Sequence, residues 1–185
     1  MKNFRSLNVT RQEKGKIKLI QTNKFKKHMK VHESQFIIPY QKLIKYMELK
    51  GTFNNIKDRF VEMVVEFPID IGYSDLCKIS DKDEVVYAKR KNRDIYSKFT
   101  LDGKSKPTNK CVVILNQSYT NQNEYYLITM FPGQYAVKEP QDRNIKTEEE
   151  KKKVLEFWSN HALVFKAKDI DLETVTYRCP YEQMA

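Results

Sequence analysis

The amino-acid sequence predicts an α+β fold: helices come first, an antiparallel meander sheet of about four to five strands follows, and one further helix precedes the last strand. Three observations carry this. Apolar residues before position 70 recur at helical spacings, while the segments after position 84 are short and rich in β-branched and aromatic residues. A Thr147-Glu148-Glu149-Glu150 capping box then opens one more helix. The 185 residues match one average domain, read as a basic helical arm (1–34), a helical segment (35–83) and a sheet with its inserted helix (84–185).

The first helix is expected over 12–31, a lysine-rich stretch whose sparse apolar stripe is Ile17, Ile20, Phe25 and Met29. A second begins near Pro39, turns Leu43, Ile44 and Met47 inward and ends at Gly51. Thr52 then caps a third, with Ile56, Phe60, Met63, Val64 and Phe67 on its inner face and Pro68 as its stop. Strands follow at 84–89, 95–101, 110–116 and 124–131, separated by turns around Asn92, Asp102-Gly103 and 121–123, and read as one continuous meander. Pro132-Gly133 ends the fourth strand. The helix from Thr147 carries Val154, Leu155 and Trp158, and 161–166 (HALVFK) returns as an edge or return strand of the same sheet.

Charge narrows the function. The net charge is +10, and it is clustered: residues 1–30 hold ten Lys or Arg against Glu13, and residues 87–110 hold eight against Asp94 and Asp102. Those stretches carry +15 together, so the remainder is net −5. Such clustering is the footprint of a phosphate-backbone partner, because each cation that meets a phosphate releases condensed counterions. A lysine-rich solvated surface or a face for anionic lipid are the alternatives, and the second lacks an amphipathic helix with exposed Trp or Phe. No apolar run is long enough to span a bilayer, and the basic N-terminus lacks the apolar centre of a signal peptide, so no membrane partner is expected. Cys77, Cys111 and Cys179 are odd in number and far apart, which reads as reduced thiols in a cytoplasm, with Cys111 in a core strand.

The chemistry is framed by missing motifs. Gly15-Lys16 and Gly103-Lys104 lack the remaining parts of a phosphate loop, no HExxH or paired-carboxylate pattern appears, and no serine sits in a glycine-flanked elbow. Three histidines do not make a rich metal site, although His28 and His32 at i, i+4 could share a metal with outside ligands; neither a metal nor a cofactor is expected. RNA, however, carries its own nucleophile. Cleavage through the 2′-hydroxyl needs a base, an acid for the leaving 5′-oxygen, and donors for the phosphorane. The chain offers these in three places: KKHMKVH with His28 and His32, the basic run AKRKNRDIYSK at 88–98, and Thr129 within YYLITMFPG.

A helix with KHxxxH, followed by YAKRKNR, SKF, KCVVILN and EYYLITMFPG, resembles the barnase, EndoU, colicin and RelE superfamily of endoribonucleases, especially its phage-borne and polymorphic toxins. The resemblance covers roughly residues 24–140. It implies two helices ahead of a four-stranded antiparallel sheet, with RNA lying across the sheet against the helix. It also implies an active-site histidine at His28 or His32, basic residues at Arg90, Arg93 or Lys98, and a hydroxyl at Thr129. RNA is then the expected partner, transfer RNA being one candidate, with a cognate antitoxin or immunity protein as a second. The helix from Thr147 and FWSNHALVF extend beyond the minimal nuclease, so His161 is a further catalytic candidate beside a capping role.

Each residue has a plainer alternative. His28 and His32 could be polar members of a lysine-rich helix, and His161 could close a helix C-terminus. Thr129 is expected to share a strand face with Tyr125, Leu127 and Phe131. If that face meets RNA, Tyr125 and Phe131 stack on bases; if it is the core, Thr129 is a β-former with a buried hydroxyl. Lys89, Arg90, Lys91 and Arg93 are expected at phosphates, and Lys98 at a phosphate or as a proton donor; arginine keeps its proton near neutral pH. The competing function is a non-catalytic RNA- or DNA-binding module, or a regulatory partner with a basic face.

Overall fold

The structure is a computed structural model that describes residues 17–91 and 93–182. In chain order its elements are β1 (Lys18–Ile20), α1 (Asn23–His32), a 3-10 turn at Glu33–Gln35, α2 (Tyr40–Leu49), β2 (Phe60–Glu66), β3 (Gly72–Ser74), β4 (Leu76–Lys78), β5 (Val85–Lys89), β6 (Tyr96–Thr100), β7 (Lys106–Thr108), β8 (Lys110–Gln117), β9 (Glu124–Pro132), α3 (Glu148–Ser159) and β10 (His161–Val164). Two 3-10 turns follow, at Ala167–Asp169 and Leu172–Thr174. The class is α+β.

The strands do not form one meander. One sheet has the order β1-β9-β8-β2 and a second the order β4-β10-β6-β5, while β3 and β7 make a short ribbon. The hairpins β5–β6 and β8–β9 pair as expected, but the segment between them leaves β6, pairs β7 with β3 and starts a new sheet. Strand β10 is interior, antiparallel to β4 and parallel to β6, where the expectation was an edge or return strand of a single sheet. Its Ala162 is fully buried, which an interior position supplies.

Two helical expectations give way to strands. Residues 18–20 pair in parallel with Glu124, Tyr125 and Tyr126 of β9, because Ile17 and Leu19 are buried while Lys18 between them is exposed, a period of two. Helix α1 starts only after Thr22, whose hydroxyl accepts the Phe25 N–H at 3.1 Å, and it then buries Phe25 and Met29. The expected residues 12–16 of that helix lie outside the described residues. The helix expected from Thr52 is replaced by turns and then β2, in which Val61, Met63 and Val65 face inward while Phe60, Glu62, Val64 and Glu66 face out. Spacings in FVEMVVE fit either period; the free edge of the buried strand β8 selects the strand, along all seven residues of β2. Helix α2 forms as expected and closes at Gly51, whose φ of 63° suits a residue without a Cβ.

The main core lies between the first sheet and α1 and α2. Phe25, Met29, Leu43, Ile44 and Met47 of the helices meet Cys111, Val113, Leu115, Leu127 and Met130 of the sheet. Each such side chain contributes about 1.5–3 kcal/mol relative to exposure. The second sheet has a smaller cluster of Val86, Ala88, Phe99 and Ile170. Among the described residues no helix is long and apolar enough to cross a membrane.

Candidate functional site

Strand β1 covers only the first three residues of β9, so the remaining edge of β9 lies against α1. One turn apart on that helix, Lys24, His28 and His32 form a stripe next to the buried Phe25–Met29 stripe. The strand meets this stripe through a bulge. Leu115 pairs with Leu127 and Ile114 with Thr129, so Ile128 is the extra residue. The bulge reverses the alternation. Tyr125, Leu127 and Met130 enter the core, whereas Thr129 and Phe131 turn to the opposite face of the sheet.

That opposite face is read off in cross-strand rows. Glu62, Ile114 and Thr129 make one row, Val64, Val112 and Phe131 the next, and Phe60, Asn116 and Tyr126 a third. His28 Nε2 and Thr129 Oγ1 share a hydrogen bond at 3.0 Å, in which the tautomer decides the donor. The His28 and His32 rings stand edge to face with centres 5.0 Å apart, and His32 lies 5.6 Å from the ring of Phe131. Phe60 and Ile128 keep about half of their surface in solvent at 56% and 46%, which leaves part of this face open to a ligand.

His32 is the more enclosed of the pair. Burial holds its pKa below the usual histidine value, with the charge of His28 acting in the same direction; the Gln35 hydrogen bond and the carboxylates of Asp169 and Asp75 oppose it. Its Nδ1 is 3.0 Å from Gln35 Oε1, and Gln35 Nε2 donates to Asp75 Oδ2 at 3.0 Å. Asp75 in turn accepts from Ser105 Oγ at 2.6 Å and from Lys166 Nζ at 2.7 Å on each oxygen. These groups come from the turn after α1, the β3–β4 link, the residue before β7 and the chain just beyond β10, so the cluster occupies the seam between the sheets. Gly72 makes the seam possible: a Cβ there would collide with the Pro132 ring and the Gln35 carbonyl oxygen.

Of the residues singled out in the sequence, His28, His32, Thr129 and Phe131 converge. The others do not. Tyr125 does not lie on the face expected to meet RNA, being a core residue whose hydroxyl donates to Asp58 O at 3.0 Å; the bulge separates it from Phe131. Lys98 is buried and donates to Trp158 O at 2.9 Å and Ser159 O at 3.4 Å, closing the C-terminal end of α3 instead of meeting a phosphate. His161 stacks on Phe157 with ring centres 4.2 Å apart and bonds Phe157 O through Nδ1, the capping alternative. Arg90 and Arg93 both grip the buried Glu139, at 2.6 and 2.9 Å, and Ser97 Oγ donates to it at 2.8 Å. Lys89 pairs with Asp94 at 2.6 Å, whereas the Lys91 side chain remains exposed. The basic run is thus largely spent on holding the second sheet together.

Gln35, Asp75, Ser105 and Lys166 were not legible in the sequence, because no local spacing relates such positions; the bonded pair Asp75 and Lys166 alone lies 91 residues apart. Among the described residues no three His, Cys, Asp or Glu side chains converge to hold a metal ion. Comparison with protein-family models, with curated proteins and with solved structures finds no match to this chain.

Proposed function

We propose that this chain is a metal-independent endoribonuclease of the toxin kind that cuts RNA by attack of the 2′-hydroxyl on the adjacent phosphate. One observation carries the reading: two imidazoles stand 5.0 Å apart, the first hydrogen-bonded to a threonine hydroxyl and the second against Phe131, at the rim of a partly open sheet face. Two histidines supply both acid and base, the only proton transfers the reaction needs. His32, kept neutral by burial, takes the 2′-hydroxyl proton as the O2′–P bond forms. His28, the exposed partner, returns a proton to O5′ as the P–O5′ bond breaks, leaving a 2′,3′-cyclic phosphate and a 5′-hydroxyl. Thr129 Oγ1 donates to a non-bridging phosphate oxygen, and the exposed Lys24 and Lys27 of α1 add positive charge near it. No cofactor enters.

The substrate is RNA in the cytoplasm, transfer RNA being one candidate, and a toxin of this kind implies a neutralising antitoxin or immunity protein. The test is incubation of RNA with purified protein in excess chelator, with end-group analysis of the products. Cyclic phosphate termini are expected. His32→Ala should lower the rate about a hundredfold or more and leave RNA affinity nearly intact, because a proton-transfer group acts in the transition state. Thr129→Val, which keeps the β-branched shape, should lower turnover with little change in binding. Unchanged cleavage by both His28→Ala and His32→Ala would overturn the mechanism. Tight binding with no cutting of any RNA class would instead establish the non-catalytic binding module, which the exposed Phe60 and Ile128 could also serve.

A further inference from the structure

We propose that Asp75 is a positioning residue for His32: acting through the Gln35 amide, it holds the imidazole proton on Nδ1 and leaves the Nε2 lone pair free to act as the base. The role as base rests on the ribonuclease reading; the proton assignment rests on hydrogen-bond chemistry alone.

Lys166 anchors the chain of hydrogen bonds that ends at His32. Its ammonium lies 2.7 Å from both oxygens of Asp75, and Ser105 donates to one of them, so Asp75 is an ionised carboxylate that can only accept. The group of Gln35 that faces Asp75 must therefore be its NH2, a donor, at 3.0 Å. An amide presents its carbonyl on the other side, and that carbonyl is 3.0 Å from His32 Nδ1. A carbonyl can only accept, so Nδ1 carries the proton. In a neutral ring this empties Nε2 of hydrogen.

The same chain of dipoles favours the imidazolium once Nε2 has taken a proton, since Nδ1–H then donates to a carbonyl polarised by a carboxylate. The groups that face His32 are His28 from its own helix, Asp169 from the turn after β10, and Asp75 from the β3–β4 link, itself neutralised by Lys166. The second sheet, through Lys166 next to β10 and Asp75 next to β4, thus sets the proton state of a histidine on the helix α1 that packs against the first.

The experiment is nitrogen-15 NMR of the histidine rings in the full chain, above the pH at which His32 is charged. Wild type should show the Nδ1–H form. In Asp75→Asn the side chain at 75 can donate or accept, the Gln35 amide loses its fixed orientation, and at least half of His32 should move to Nε2–H. Lys166→Met breaks the same ion pair yet keeps the carboxylate, and should retain the Nδ1–H form. In cleavage assays Asp75→Asn should lower kcat about tenfold or more, with KM within about twofold, and its acid limb should move to lower pH because a negative charge near the imidazolium is lost. An Nε2–H ring in wild type, an unchanged ring in Asp75→Asn, or equal loss in Lys166→Met would each overturn the proposal. The tautomer is read without substrate, so absence of cleavage would overturn the ribonuclease reading alone.

Discussion

The two sheets are stabilised by different physics. The first, with α1 and α2, is held by apolar burial: Phe25, Met29, Ile44, Leu115, Leu127 and Met130 are almost without solvent contact. Around the second, the small cluster of Val86, Ala88, Phe99 and Ile170 is supplemented by polar groups, and Ser97, Lys98, Thr100 and Glu139 are all buried there. Glu139 gathers Arg90, Arg93 and Ser97, and Lys98 closes α3. The comparison explains why a basic run expected to contact phosphate contributes little to the candidate site. Its charges replace the apolar area that the second sheet lacks, whereas the first sheet, stabilised without them, can leave part of one face open.

This contrast can be broken by experiment. Leu127→Ala in the first core should cost about 3–5 kcal/mol in urea unfolding, and the cost should hardly change with salt. Glu139→Ala should cost about 3 kcal/mol, the low end for a broken buried ion pair, because Arg90 and Arg93 are partly exposed and can turn to water. Its cost should shrink in about 1 M salt, where the ion pairs of the parent are screened. Equal salt dependence in the two variants would erase the distinction between the sheets.

A smaller effect is expected from pH. Burial places the folded-state pKa of His32 below the value of about 6.5 for a free histidine, so the unfolded chain binds this proton first as pH falls. Stability should therefore decline as pH drops below about 6.5 and level off below the folded pKa, with no contribution at higher pH. His32→Gln, which has no such proton to gain, should flatten that part of the curve; an identical profile would mean that His32 is not held neutral by the fold. The smallest effect concerns RNA binding. Lys24→Ala or Lys27→Ala should flatten the salt slope by up to about one unit each, while Arg93→Ala should leave it unchanged. The reverse result would move the RNA to the second sheet.

Much of this architecture was legible in local patterns. The hairpins around 85–100 and 110–132 and the capping box at Thr147 depend on near neighbours, and they formed where their residues indicated. The His28–His32 stripe was legible for the same reason, since i, i+4 spacing fixes which side chains share a helix face. The segment at 60–66 was not, because its residues satisfy both periods and only pairing with β8 chooses between them. Nor was the orientation of Tyr125, which alternation alone places beside Thr129; one bulged residue, Ile128, reverses every side chain beyond it.

Composition and short-range periodicity suffice for the α+β class, the basic character, the helical histidine pair and the hydroxyl-bearing strand, because they act before any long-range contact exists. Tertiary structure alone decided that the strands divide into two sheets, that Arg90 and Arg93 surround Glu139 and that Lys98 caps a helix. It also decided that Gln35, Asp75, Ser105 and Lys166 meet behind His32. The physical reason is that a buried charge must find its partner wherever the fold brings one, and that partner's position in the chain is unrelated to its position in space.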